Sequence, residues 1–474
     1  METAALIVAL VIALALFFDF TNGFHDTANA MATPIATGAL KPKAAVALAA
    51  ILNLVGAFLS TEVAKTISGG MIREDQISGD VFPSLIFAGL IGAITWNMLT
   101  WLLGLPSSSS HALFGGLIGA TIVGFGMQGI DFGVVVSKVV LPALLAPLTA
   151  GIIAYAVTKI AYAVTRRYDG KPDGRDGFRW GQIFTSSLVA LAHGTNDAQK
   201  TMGVITLALI AAGWQSAEHH EPQLWVVFSA AAAIALGTYV GGWRIIRTLG
   251  KGLTDVKPAQ GFAAETSTAA TILASSHLGF ALSTTQVASG SVIGSGLGRR
   301  GSEVRWRTVG RIMVGWLLTL PAAGAVGALA ALLVVWSESA GMGMLGVGID
   351  AVIALVIILG LFLRSRRDEV HAGNAMSEVA ESGMAVKLEE NPPPTRRQRR
   401  VLAERARQEA AVRAAEAAAE RAAEKAAAKA VAAALAKERL AASQAKVERA
   451  DRAATSKKAK QDAKPKPKSK GKTK

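Results

Sequence analysis

Long apolar runs separated by short polar stretches dominate the first three quarters of the chain. They cover Ala4–Phe20, Ala44–Ser60, Ser84–Gly104, Ser107–Met127, Val134–Thr165, Gln182–Ala212, Leu224–Trp243, Ala263–Phe280, Ser283–Leu297, Ile312–Trp336 and Val347–Leu363. Several reach the ~20 residues an α-helix needs to cross a ~30 Å hydrocarbon layer. The pattern predicts an all-α integral membrane protein. Two stretches, Ser84–Met127 and Ala263–Leu297, are interrupted near their middle and predict re-entrant hairpins. The first run ends on Phe17-Phe18-Asp19-Phe20, and Glu2 is its only early charge. A signal peptide needs a basic start and a small-residue cleavage site, so a retained helix is expected.

Loop charge sets an orientation, because short cytoplasmic loops carry excess Lys and Arg. Basic loops lie at Arg166, Arg167, Lys171, Arg175 and Arg179, at Arg244, Arg247, Lys251 and Lys257, and at Arg299, Arg300, Arg305, Arg307 and Arg311. Gln215–Gln223 and Ser337–Gly348 contain no Lys or Arg. With the basic loops inside, each half crosses the membrane an odd number of times, so the halves are predicted to be inverted. A repeat agrees with this. Gly23-Phe-His-Asp26 aligns with Gly194-Thr-Asn-Asp197 at an offset of 171, and Ser108-Ser-Ser110 aligns with Ser283-Thr-Thr285 at 175. Inverted repeats with interrupted helices are typical of secondary transporters. The expected layout is a first inverted repeat at 1–165, a cytoplasmic linker at 166–181, a second repeat at 182–347, a last membrane helix at 348–364 and a cytoplasmic basic tail at 365–474.

Composition supports the membrane reading: 51% of residues are hydrophobic and the mean hydropathy is +0.38. Absence of cysteine excludes a disulfide framework and thiolate metal sites. The net charge of +15 belongs mostly to the tail, where 27 Lys/Arg face 15 Asp/Glu after Arg364. The basic character therefore says little about what the membrane part handles. Asn391-Pro-Pro-Pro394 breaks any helix, 395–454 is rich in helix formers, and the Lys/Pro run 456–474 predicts disorder. A solvated tail is expected, with anionic inner-leaflet lipid as its alternative partner. No aromatic residues interleave the bases, so no nucleic acid is expected.

The candidate chemistry sits at the repeats. Leu105-Pro106-Ser-Ser-Ser-Ser110-His111 and Ser283-Thr284-Thr285-Gln286 interrupt the hairpins. Serines at a helix start cap backbone N–H groups. A helix N-terminus carries about half a positive charge with free N–H donors and binds phosphate-like anions. Opposed insertion would bring Ser108, Ser109, Ser110, Ser283, Thr284 and Thr285 around one tetrahedral oxyanion, with no Lys or Arg required. The bland alternative is that these hydroxyls only pack helices or bond the preceding turn. Asp26 and Asp197 lie in apolar surroundings, where a carboxylate is costly and a functional candidate. Gly23 and Gly194, three residues before each, permit broken helices there. Asn22, Asn29, Thr195 and Asn196 add neutral oxygens suited to a hard cation such as Na⁺; a buried aspartate could instead carry a proton. His25, His111, His193 and His277 lie in or beside these motifs and can exchange protons near neutral pH. No helical His pair has metal spacing, so neither a structural metal nor a cofactor is expected.

At these residues the chain resembles the PiT family of inorganic phosphate transporters. Both halves of the family's duplicated signature are matched, Gly23-Phe-His-Asp-Thr-Ala-Asn-Ala30 and Gly194-Thr-Asn-Asp-Ala-Gln-Lys200, as are Pro106–His111, Ser283–Gln286 and Gly261-Phe-Ala-Ala-Glu265. The resemblance covers about 1–363 and is closest in look to bacterial low-affinity members. It implies phosphate at the hydroxyl clusters with Gln286, coupling cations near Asp26, Asn29, Thr195, Asn196 and Asp197 with His25 and His111, a multi-pass inner-membrane location and a homodimer. His25 stands where many members have Asn, which favours H⁺ over Na⁺. Each negative charge entering a cell costs about 2.3 kcal/mol per 100 mV. Uptake therefore needs an accompanying H⁺, Na⁺ or phosphate-bound divalent metal. Competing readings are another oxyanion such as sulfate, an intramembrane hydrolase, and a scaffold acting through the tail.

Overall fold

The computed structural model describes residues 2–73, 81–165, 173–375 and part of 434–455. The chain divides into two units, Met1–Leu388 and Glu389–Lys474. The first contains α1 (Glu2–Ala36), α2 (Pro42–Gly56), α3 (Glu62–Gly70), α4 (Phe82–Leu102), α5 (Ser109–Phe125), the single turn α6 (Phe132–Val134), α7 (Leu141–Thr165), α8 (Asp173–Ala211), α9 (Leu224–Val240), α10 (Trp243–Arg247), α11 (Pro258–His277), α12 (Thr284–Gly298), α13 (Trp306–Ser339) and α14 (Gly343–Ser365). Among the described residues the only extended pairings are two isolated bridges, Ile72 with Ile130 and Thr254 with Val304. In the second unit the described residues between 434 and 455 are helical. The expected proline break at 391–394, most of the tail helix, the run 456–474 and the loop bases Arg166, Arg167 and Lys171 lie outside the described residues.

Every apolar run becomes a helix. Among the described residues five helices are long and apolar enough to cross a membrane: Ala4–Ala36, Phe82–Leu102, Phe132–Val164, Trp306–Ser339 and Met344–Ser365. A sixth arises if Leu224–Val240 and Trp243–Gly252, bent by 59°, count as one span. The outward faces explain why. Leu148, Ile152, Leu317 and Leu355 are each more than 60% exposed. Such a surface is at home only in a medium that is itself apolar. Trp225, Trp306 and Trp336 lie exposed near the ends of their helices, where amphipathic rings settle at membrane interfaces. The chain is a multi-pass membrane protein.

The interior is polar as well as apolar, and this corrects one expectation. Gly23 and Gly194 do not break their helices. α1 runs unbroken through Asp26, and α8 through Asp197. The glycines instead let backbones touch. A Cβ on Gly23 would collide with the Ile234 carbonyl and lie 3.0 Å from the Thr238 nitrogen on α9. A Cβ on Gly194 would collide with Asn53 on α2. Each aspartate-bearing helix is thus clamped against a helix of the other half. Thr27 Oγ1 donates to the Thr238 carbonyl at 3.2 Å, and Thr195 Oγ1 to the Gly56 carbonyl at 3.0 Å.

The interruptions fall in the hairpins, and the two turns match. Gly104 and Gly279 take φ of 64° and 68°, a left-handed conformation that costs glycine little. Leu105 N–H bonds Thr100 O at 2.9 Å, and Phe280 N–H bonds Ser275 O at 2.9 Å. Ser108 (φ −95°, ψ 105°) and Ser283 (φ −81°, ψ 102°) then cap α5 and α12. The hairpin helices are held by the opposite halves: α5 packs chiefly on α13, and α12 on α7.

Replacing Gly23 by Val should force α1 from α9. Overpacking of this kind costs about 1–3 kcal/mol, and the thermal midpoint of the purified protein should fall. An unchanged midpoint would show that the crossing is not tight.

Candidate functional site

The tips of α5 and α12 meet at Asp26 on α1. Ser109 Oγ donates to Asp26 Oδ2 at 3.0 Å, and Thr284 Oγ1 lies 3.3 Å from the same oxygen. Thr285 Oγ1 donates to Asp26 Oδ1 at 3.1 Å. Ser110 Oγ reaches across to the Leu282 carbonyl at 3.0 Å and joins the hairpins directly. The Ser108 and Ser283 oxygens accept from the backbone N–H of His111 and Gln286. These two are spent on capping, so three of the six hydroxyls (Ser109, Thr284 and Thr285) face the carboxylates. First-turn N–H groups have no acceptor within their own helix. Two such ends therefore present donors and partial positive charge to one small volume.

Asp197 borders that volume from α8. Thr284 Oγ1 lies 3.2 Å from Asp197 Oδ2, so this hydroxyl sits between the two carboxylates. Asn22 Nδ2 donates to Asp197 Oδ2 at 3.3 Å. His193 Nε2 lies 3.1 Å from Asp197 Oδ2 and 3.9 Å from Asp26 Oδ2. His25 Nδ1 holds Asp26 Oδ1 at 2.6 Å. All of these groups are buried. Ligand atoms of Asp26, His193 and Asp197 lie within 4.8 Å of one another, close enough to hold one cation.

The remaining expected residues are placed differently. Asn29 Nδ2 donates to Thr284 and Thr285 at 3.2 and 3.1 Å, and its Oδ1 is buried without a hydrogen-bond partner. Thr195 turns to the Gly56 and Leu191 carbonyls, away from the carboxylates. Asn196 steadies the second hairpin through Ser276 Oγ at 2.9 Å and Phe280 O. His111 Nδ1 and Gln286 Oε1 are buried without hydrogen-bond partners.

Two groups were not assigned to the site from sequence. His193 lies four residues before Asp197, hence on the same helical face. Lys200, fully buried, places Nζ 2.5 Å from Asp197 Oδ1; a charged side chain inside an apolar run was the available signal. Farther along α1, Glu265 of α11 accepts from Thr33 at 2.5 Å, Thr185 at 2.7 Å and Gln182 at 3.2 Å. It ties α1, α8 and α11 together.

A multi-pass helical membrane protein with two half-helices converging on buried carboxylates is built as a transporter. A profile described as "Phosphate transporter family" matches residues 22–327. The chain is 59% identical over 328 residues to a probable low-affinity inorganic phosphate transporter of Mycobacterium bovis, covering 69% of this chain and 78% of that one. It is 40% identical over 334 residues to a protein of the same description from Bacillus subtilis, covering 70% and 98%. A solved structure titled "The sodium-dependent phosphate transporter" superposes with a TM-score of 0.62 at 22% identity, covering 69% of this chain and 98% of that one; it shares the fold. The chain belongs to the phosphate transporter family, whose named members here are transporters and not enzymes.

Ser283→Ala should cost about 1 kcal/mol by loss of the cap, and Ser283→Gly only a few tenths. Thermal unfolding in detergent should rank Ala below Gly; the reverse order would remove the capping role.

Proposed function

We propose that the chain takes up inorganic phosphate across the inner membrane by symport with a cation, H⁺ in preference to Na⁺. The observation that supports this most is the convergence of two capped helix N-termini on Asp26. Phosphate would sit between the tips, bound by their first-turn N–H groups and by Ser109, Ser110, Thr284 and Thr285. The coupling cation would be held by Asp26, with His25, His193, Asn29 and Asp197 around it. An incoming cation at Asp26 takes over the carboxylate's charge and frees Ser109, Thr284 and Thr285 to turn toward the anion. Binding of each then favours binding of the other, as symport requires.

The halves would be inverted across the bilayer, with the basic loops and the tail in the cytoplasm and two copies forming a dimer. Each phosphate charge moved inward against 100 mV costs about 2.3 kcal/mol, and the cation offsets it.

Purified protein in liposomes should accumulate labelled phosphate when an inward H⁺ gradient is imposed. Excess sulfate should compete poorly. Asp26→Asn should cut gradient-driven uptake about 100-fold, in line with about 3 kcal/mol for a charged hydrogen-bond centre. Full uptake by this variant would reject the coupling assignment. Equal competition by sulfate would reassign the substrate.

A further inference from the structure

The two signature segments are not equivalent, and one of their differences is a fixed charge. At the offset of 171 that aligns Asp26 with Asp197, Asn29 falls on Lys200. In the first half this position offers a neutral amide whose Oδ1 is buried and unpartnered. In the second half it carries an ammonium, fully buried, 2.5 Å from Asp197 Oδ1. Asp197 and Lys200 are one helical turn apart on α8. We propose that Lys200 is a tethered cation: it permanently fills the place at Asp197 that an exchangeable coupling ion could otherwise take, and leaves the Asp26 side to carry the one cation that moves. This rests on the symport reading above and sharpens it.

The geometry divides Asp197 in two. Its Oδ2 faces the shared centre with Thr284, His193 and Asn22. Its Oδ1 faces Lys200. Asp19 on α1 is also fully buried. A mobile cation approaching Oδ1 would meet the ammonium at close range in a medium that screens little. At Asp26 both oxygens instead face hydroxyl and histidine groups that can rearrange. A side chain bonded to α8 cannot be released to either side, so its charge contributes nothing to transport driven by a gradient. It does give Asp197 Oδ1 a fixed ion-pair partner beside the anion site.

The test uses the full chain in liposomes with labelled phosphate and a fixed H⁺ gradient, in choline medium with and without added Na⁺ or methylammonium. Wild type should take up phosphate equally in all three. Lys200→Asn, which copies the first half, should lose at least tenfold of its uptake in choline and regain it with Na⁺ or methylammonium. Lys200→Arg, which keeps the charge, should show no such requirement. Wild-type rates for Lys200→Asn in choline would overturn the proposal, as would a monodisperse Lys200→Asn protein that no cation restores. Should that variant not fold, the zero-flux potential of wild type decides: one exchangeable cation per phosphate is expected, and two would overturn it. Wild-type uptake that responds to no imposed cation gradient would instead sink the symport reading itself.

Discussion

Two carboxylates held away from water, in a medium with almost nothing to solvate them, constrain the rest of this molecule. Burying an ionised group without partners is prohibitively costly, so the chain surrounds Asp26 and Asp197 with polar and charged groups from four helices. Ser109 comes from α5, Thr284 and Thr285 from α12, His25 and Asn22 from α1, and His193 and Lys200 from α8. No local segment could supply such a set. The carboxylates therefore demand that the two halves of the chain interpenetrate.

Helix crossings meet that demand. Gly23 presses α1 onto α9, and Gly194 presses α8 onto α2, at distances that no side chain tolerates. In lipid there is little hydrophobic gain from pairing helices, and close backbone contact with hydrogen bonds across it takes over. Thr27 to Thr238 and Asn53 Nδ2 to Thr238 Oγ1 at 2.7 Å are such bonds. Rigid crossings fix the two aspartates, while α5 and α12 bring their tips from hairpins whose turns rest on Gly104 and Gly279.

Much of this was legible in the sequence, for a definite reason. A membrane helix shows as an apolar run whatever packs beside it, so every run from Ala4–Phe20 to Val347–Leu363 reappeared as a helix. The hairpin caps were equally legible, because Ser108 and Ser283 act within their own first turn. What failed was the reading of Gly23 and Gly194 as breaks. A glycine that bends a chain and a glycine that admits a neighbouring backbone look alike until the neighbour is known. The first helix was cut short at Phe20 for a similar cause. Thr21 to Asn29 is polar enough to suggest an end, but Asn22, Thr27 and Asn29 find partners on helices distant in sequence. Thr195 and Asn196 sit beside Asp197 in the chain, yet consecutive helical residues point in different directions. One lies against α2, and the other faces the second hairpin. The short α3, with few apolar residues, gave no signal of its own.

One detail of the centre has a mechanical meaning. Ser109 and Thr284 approach the same oxygen of Asp26 from different hairpins, while Ser110 ties the first tip to the backbone of the second. Neither tip can withdraw without disturbing the other's anchorage. A gate on each side of a carrier must never open together with its opposite, or the membrane leaks. Here both hairpin tips are tied to one oxygen of Asp26, so a displacement of either is felt by the other.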